Sequence, residues 1–228
     1  MRGLINLLRS LVLWTVFFLG LLVVAFIYQL SKVFPGTHEK LFQCLNRIVL
    51  SLALRLSGTR VEISGIENIP DKGGFIIAAN HSSFLDNIVL IGRLPLLFKI
   101  VAGGAGFTLP FIRSVYRGAG YIKAGRRMNL ADIASLYKAL KKDERVLIYS
   151  HVGGEKGPGR FSEAMINFSR QSGVPILPVC LVGTAQVMPM KVFILRNGKI
   201  LMRIGAPIFT PDLNLLQEKI QDLYRSGR

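Results

Sequence analysis

The sequence predicts an α/β domain with a mostly parallel central sheet flanked by helices, preceded by N-terminal membrane helices. Three observations predict it. Residues 10–31 are an uncharged apolar stretch, and a helix needs about 20 such residues to cross a bilayer. From residue 58 onward, short β-type runs alternate with segments of helical periodicity, the pattern of a sheet covered by helices. Half of the 228 residues are hydrophobic and mean hydropathy is +0.42, high for a chain surrounded by water alone.

The first element lies between Arg9 and Lys32, with Trp14 and Tyr28 near its ends, where interfacial aromatics sit. A cleaved signal peptide is the competing reading. The apolar run is long for such a peptide and no small-x-small cleavage site follows it, so a retained anchor is expected. Basic residues flank both sides (Arg2, Arg9, Lys32, Lys40, Arg47), so charge does not set an orientation. A helix dipped into one leaflet is the alternative to a full span. After Phe34-Pro35-Gly36, residues 41–56 read as a second helix on or in the membrane interface, with an ordinary core helix as the other reading. Ser57-Gly58 ends it. Residues 1–57 are thus expected to form membrane-anchoring helices and residues 58–228 one catalytic domain.

Within that domain, strands are expected at 60–64, 75–79, 98–102, 120–123, 146–149 and 176–182. Helices are expected at 84–93, 109–116, 129–141 and 162–172. Runs at 192–195 and 199–203 flank Asn197-Gly198, a good hairpin turn. A last helix, 212–225, follows Pro211.

Lys and Arg number 29 against 13 Asp and Glu, a net charge of +16. That balance implies an acidic partner: anionic lipid, an acidic carrier protein, a phosphorylated substrate or nucleic acid. No aromatic-basic interleaving supports nucleic acid. The two cysteines, Cys44 and Cys180, lie in apolar runs and read as buried structural thiols in a reducing compartment. There is no CxxC, and His38, His81 and His151 are scattered, so no metal site is expected.

The strongest local pattern is Asn80-His81-Ser82-Ser83-Phe84-Leu85-Asp86, directly after the apolar run FIIAA and opening a helix. His and Asp five apart on such a turn can set a carboxylate beside an imidazole. The carboxylate then accepts from Nδ1–H and fixes the tautomer, leaving Nε2 to remove a proton from an acceptor hydroxyl. The plainer reading is a helix cap at Asn80 or Ser82 and a surface histidine.

This segment resembles the first motif, NHxxxxD, of the glycerolipid acyltransferase family, the lysophosphatidate acyltransferase (PlsC-like) group. Gly173-Val174-Pro175-Ile176-Leu177-Pro178-Val179 resembles the family's fourth motif, and Pro110 with Gly120-Tyr121-Ile122 fits the region between. The resemblance spans roughly residues 61–206 and implies a PlsC-like fold. It also implies transfer of a fatty acyl group from acyl-CoA or acyl carrier protein to a lysolipid hydroxyl, 1-acylglycerol 3-phosphate by default, with no bound cofactor. It assigns His81 as general base and Asp86 as its orienting partner.

Two departures stand out. The polar part of the second motif is replaced by Gly103-Gly104-Ala105-Gly106. The third motif, normally FPEGTR, reads Tyr149-Ser150-His151-Val152-Gly153-Gly154, without the arginine that would hold the acceptor's phosphate. Arg117, Arg126 and Arg160 are the candidate replacements, since a guanidinium grips phosphate bidentately. Asn80 and His151 complete the expected substrate-binding set. A different lysolipid or amino-acyl lipid acceptor, or an inactive lipid-binding homologue, are the alternatives the altered motif leaves open. The expected setting is the inner (cytoplasmic) membrane, with the catalytic domain on the cytoplasmic side, touching anionic lipid and no nucleic acid.

Overall fold

A computed structural model describes residues 2–34, 38–103, 110–124, 130–150, 157–190 and 192–227. The two N-terminal helices are α1 (Arg2–Ser31) and α2 (Glu39–Leu56). The rest alternates: β1 (Arg60–Ser64), β2 (Phe75–Ala79), α3 (Leu85–Arg93), β3 (Lys99–Gly103), α4 (Pro110–Gly118), β4 (Ile122–Ala124), α5 (Leu130–Lys141), β5 (Arg145–Tyr149), α6 (Glu163–Ser172), β6 (Ile176–Val182), the single turn α7 (Thr184–Val187), β7 (Lys199–Ile204) and α8 (Leu213–Arg225). Element ends follow local chemistry. Gly173 takes the left-handed φ of +68° that closes α6, a conformation that costs glycine little. Asp212 Oδ1 accepts from the N–H groups of Asn214 and Leu215 at 2.9 and 3.1 Å, capping α8.

The seven strands run β1-β7-β6-β2-β5-β3-β4, every neighbouring pair parallel except β6 and β7. The expected mostly parallel sheet is therefore present. β2 is its centre and is buried at all five positions, as a strand covered on both faces must be. Its side chains alternate between two cores. Phe75, Ile77 and Ala79 face a layer built with α1–α4, and Ile76 and Ala78 face a layer built with α5, α6 and α8.

The N-terminal helices share that first core. Leu13, Phe17, Leu21 and Val24 of α1 and Phe42, Leu50, Ala53 and Leu54 of α2 are buried in it. Polar ties hold them: Gln29 of α1 donates to Ser114 Oγ at 3.1 Å, and Gln43 of α2 donates to the Ala119 carbonyl at 2.9 Å. The outer faces remain apolar, with Leu8, Leu11, Leu19, Leu22, Val23 and Phe26 of α1 and Ile48 and Leu52 of α2 exposed. By length and composition α1 could cross a membrane. Cys180 is buried as expected, but Cys44 stands exposed on α2, because it falls on the helix face that points away from the core.

The hairpin expected at 192–203 does not form. The strand at 199–204 instead lies between β1 and β6. Residues 192–195 dock on α1: Trp14 Nε1 donates to the Phe193 carbonyl at 2.7 Å, and the Leu195 N–H donates to Ser10 Oγ at 2.8 Å. Backbone groups that a hairpin would have paired are thus taken by α1 at Phe193 and Leu195 and by the Val187 carbonyl, which accepts from the Arg196 N–H at 2.7 Å.

Candidate active site

The loop leaving β2 carries His81 and leads to Asp86, the candidate catalytic pair. It sits at the carboxyl end of the central strand, where open α/β sheets leave a crevice. The register aligns Ala79 with Tyr149 of β5 and with Val179 of β6, so the ends of three adjacent strands converge there.

His81 Nδ1 lies 2.9 Å from Asp86 Oδ2. The same oxygen accepts from the backbone N–H groups of Ser82 and Ser83 at 2.6 and 2.8 Å. Asp86 is completely buried in the first turn of α3, where the helix dipole favours a carboxylate. Asp86 thus holds the imidazole and the loop at once. Ser83 Oγ donates to the Met188 carbonyl at 2.6 Å and Ser82 Oγ lies 3.2 Å from Thr184 Oγ1, fixing the loop to the turn after β6.

Tyr149 stacks on His81 with ring centroids 4.4 Å apart and planes 23° from parallel. Its hydroxyl donates to Asn87 Oδ1 at 2.9 Å. Burial, reinforced by the charge of Asp86, pushes the Tyr149 phenol well above its ordinary value, so it stays protonated and a donor. Asn87 and Phe84 open onto an apolar cavity of about 280 Å³ bounded by Phe17, Leu21, Leu50, Ile88, Ile112 and Val115. Phe84 in turn packs with Trp14, Phe17 and Phe193, so the site abuts α1.

The other candidates divide. Asn80 is 1% exposed, and its amide both donates to and accepts from the Leu181 backbone, at 2.8 and 2.7 Å. Its expected place against substrate is corrected to that of a clamp between β2 and β6. Arg117 is corrected too. It lines a polar cleft of about 600 Å³ with Lys99, Lys123 and Glu144, at the amino ends of β3–β5. The length of a five-residue strand, roughly 16 Å, separates that end of the sheet from His81. Arg160 is exposed two residues past Pro158, whose carbonyl accepts from Ser150 Oγ at the carboxyl end of β5. That tie brings its segment to the His81 end of the sheet. Arg126 and His151 lie outside the described residues. Among the described residues no cluster of three or more His, Cys, Asp or Glu could hold a metal ion.

Residues 60–182 match the family model described as acyltransferase, more than half the chain. The chain belongs to the acyltransferase family. Among curated members, it is 29% identical over 143 residues to a 1-acyl-sn-glycerol-3-phosphate acyltransferase of Borreliella burgdorferi, covering 60% of this chain and 57% of that one. It is 26% identical over 172 residues to a chloroplast enzyme of the same name from Brassica napus, covering 72% of this chain and 49% of that one. To a Limnanthes alba enzyme of that name it is 27% identical over 194 residues, covering 82% and 68%. The chain therefore spans about half the length of the first two relatives and two thirds of the third. The crystal structure of the 1-acyl-sn-glycerophosphate acyltransferase PlsC from Thermotoga maritima superposes with a TM-score of 0.81 at 20% identity, over 100% of this chain and 96% of that one. This acyltransferase family member thus has the PlsC fold.

Sequence reasoning did not single out Tyr149 or Asn87. The segment of the altered third motif contains Tyr149, but its stacking on His81 depends on the pairing of β2 with β5, which no local pattern reports.

Proposed function

We propose that this chain is a membrane-bound O-acyltransferase that moves a fatty acyl group from a thioester donor, acyl-CoA or acyl carrier protein, to the hydroxyl of a lysolipid. The observation that carries the reading is the His81–Asp86 pair, 2.9 Å apart, on the same loop and helix start whose Phe84 and Asn87 line an apolar cavity. Asp86 takes Nδ1–H, so Nε2 accepts the proton of the acceptor hydroxyl as its oxygen attacks the thioester carbonyl. The tetrahedral intermediate collapses, the thiolate leaves, and the imidazolium returns the proton to sulfur. No serine or cysteine nucleophile is required.

The names of the relatives support 1-acylglycerol 3-phosphate as acceptor. The missing arginine of the third motif supports a second reading, in which the acceptor is another lysophospholipid or an amino-acyl lipid. The intact dyad weighs against an inactive homologue. The exposed apolar faces of α1 and α2 suit a membrane, and the net charge of +16 suits anionic headgroups or an acidic carrier protein on the cytoplasmic side.

The test is transfer of labelled acyl groups from acyl-CoA and from acyl carrier protein to a panel of lysolipids, with the protein in liposomes. Wild type is expected to transfer and His81→Ala to fall to background, with the preferred lysolipid identifying the acceptor. Equal turnover by His81→Ala would refute the mechanism. No transfer to any acceptor, with liposome binding retained by both proteins, would favour a lipid-binding protein on this scaffold.

A further inference from the structure

We infer that Asn87 donates a hydrogen bond from Nδ2 to the oxyanion of the acyl-transfer step, with Tyr149 as the residue that orients it. The inference rests on the acyl-transfer reading and deepens it by supplying a part which that mechanism needs.

Attack on a thioester moves the carbonyl π pair onto oxygen, and that charge requires donors aimed at it in a water-poor site. The dyad has none to offer. Nδ1–H of His81 is held by Asp86, and Nε2 is occupied with the acceptor's proton. The Tyr149 hydroxyl is committed to Asn87 Oδ1. That bond decides which way the amide faces: with Oδ1 taken, the two N–H groups of Nδ2 are the free end. Among the described residues nothing accepts from Nδ2, and it is not one of the sealed, unpartnered polar atoms of the interior. Asn87 therefore presents an unused donor from the wall of the apolar cavity, one hydrogen bond and one ring stack from the imidazole.

The surroundings favour the role. Phe84 and Ile88 line the same cavity, and an apolar wall strengthens any charge-directed hydrogen bond. Asn87 lies in the first turn of α3, whose dipole favours developing negative charge. The helix and the Tyr149 bond hold the amide before substrate arrives, so little reorganisation accompanies the reaction. The steps balance: the acceptor oxygen bonds to the thioester carbon while its proton passes to His81 Nε2. The oxyanion sits against Nδ2–H, and collapse expels the thiolate, which takes the proton back.

The experiment measures kcat and KM for acyl transfer to 1-acylglycerol 3-phosphate by the full chain in liposomes. It compares wild type, Asn87→Ala, Asn87→Asp, Tyr149→Phe and the Asn87→Ala/Tyr149→Phe double variant. Loss of one oxyanion donor lowers kcat by about 10²–10³-fold; Asn87→Ala is expected in that range with both KM values little changed. Asn87→Asp keeps the volume and the acceptor for Tyr149 but has no donor, and is expected to fall at least as far. Tyr149→Phe keeps the ring and loses about tenfold in kcat, and the double variant is no slower than Asn87→Ala alone, because Tyr149 acts through Asn87. Wild-type kcat in Asn87→Asp, or additive losses in the double variant, would overturn the assignment while leaving the acyl-transfer reading intact. No transfer by the wild-type chain to 1-acylglycerol 3-phosphate or to any other lysolipid of the panel would overturn both.

Discussion

Asp86 places three hydrogen bonds on one carboxylate oxygen, from His81 and from the N–H groups of Ser82 and Ser83. Orientation of the His81 imidazole and shape of the loop are therefore one property. Asp86→Asn is expected to keep the volume but supply an amide that cannot accept all three bonds. The expected loss in kcat is up to about 10⁴-fold, the size seen when the orienting carboxylate of a histidine base becomes an amide; turnover within threefold of wild type would show that another group orients the ring. The cysteines separate at the same scale. Burial pushes the Cys180 thiol up to about 12, while Cys44 is exposed. Since the thiolate is the reactive form, alkylation of the folded protein at neutral pH is expected to modify Cys44 alone and to leave acyl transfer in place, read by peptide mass.

Among the elements, α2 and α3 approach unusually closely. A Cβ at Gly92 of α3 would stand 3.0 Å from backbone atoms of Leu50 and Ser51 in α2. Gly92→Ala gains about 1 kcal/mol in helix propensity, yet pushing two backbones apart costs about 1–3 kcal/mol. The packing term wins, and a lower Tm is expected; an unchanged or higher Tm would show that the helices separate freely. The other end of α2 is held by charge. Lys99 of β3 bridges Glu39 of α2 and Glu144 before β5 at 2.7 and 2.8 Å. Burial alone would lower its ammonium, but hydrogen bonds with Glu144 and Glu39 and their charges carry it above its ordinary 10.5. A base held more tightly in the folded state adds stability that is complete below that ordinary value and is lost as pH rises through the folded one. Unfolding followed from pH 9 upward is expected to show wild type losing more stability above about 10.5 than Lys99→Met, since the buried Cys180 thiol and Tyr149 phenol, both held above their ordinary values, lower stability equally in the two proteins.

For the whole molecule, the N-terminal helices are part of the core. α1 contributes Leu13, Phe17, Leu21 and Val24 to the layer over β2, and each large side chain removed from such a layer costs about 2–5 kcal/mol. A chain beginning at Val33 is therefore expected to lose cooperative unfolding and aggregate; a folded, soluble product would show α1 to be a detachable anchor. Membrane affinity of the intact protein is expected to fall with rising salt on anionic vesicles, given the net charge of +16.

The fold class, the strand and helix alternation and the dyad were legible in the chain because each depends on short-range patterning. β2 reads as an unbroken apolar run, and His81 and Asp86 lie five residues apart on one loop, so local geometry alone brings them together. The roles of Asn80, Arg117, Tyr149 and Asn87 depend on pairing between strands far apart in sequence. β2 lies between β5 and β6, which turns Asn80 into a clamp on Leu181 and sets Tyr149 against His81. The return of α4 to the amino end of the sheet carries Arg117 away from the site. The Asn197-Gly198 turn shows the same limit: its local preference for a hairpin is weaker than the backbone bonds and apolar contact that α1 offers to residues 192–195. Sequence periodicity determined which segments are buried and in what form, while the identity of each segment's neighbour was a tertiary decision, made where buried area and satisfied backbone groups outweigh the preference of any single turn.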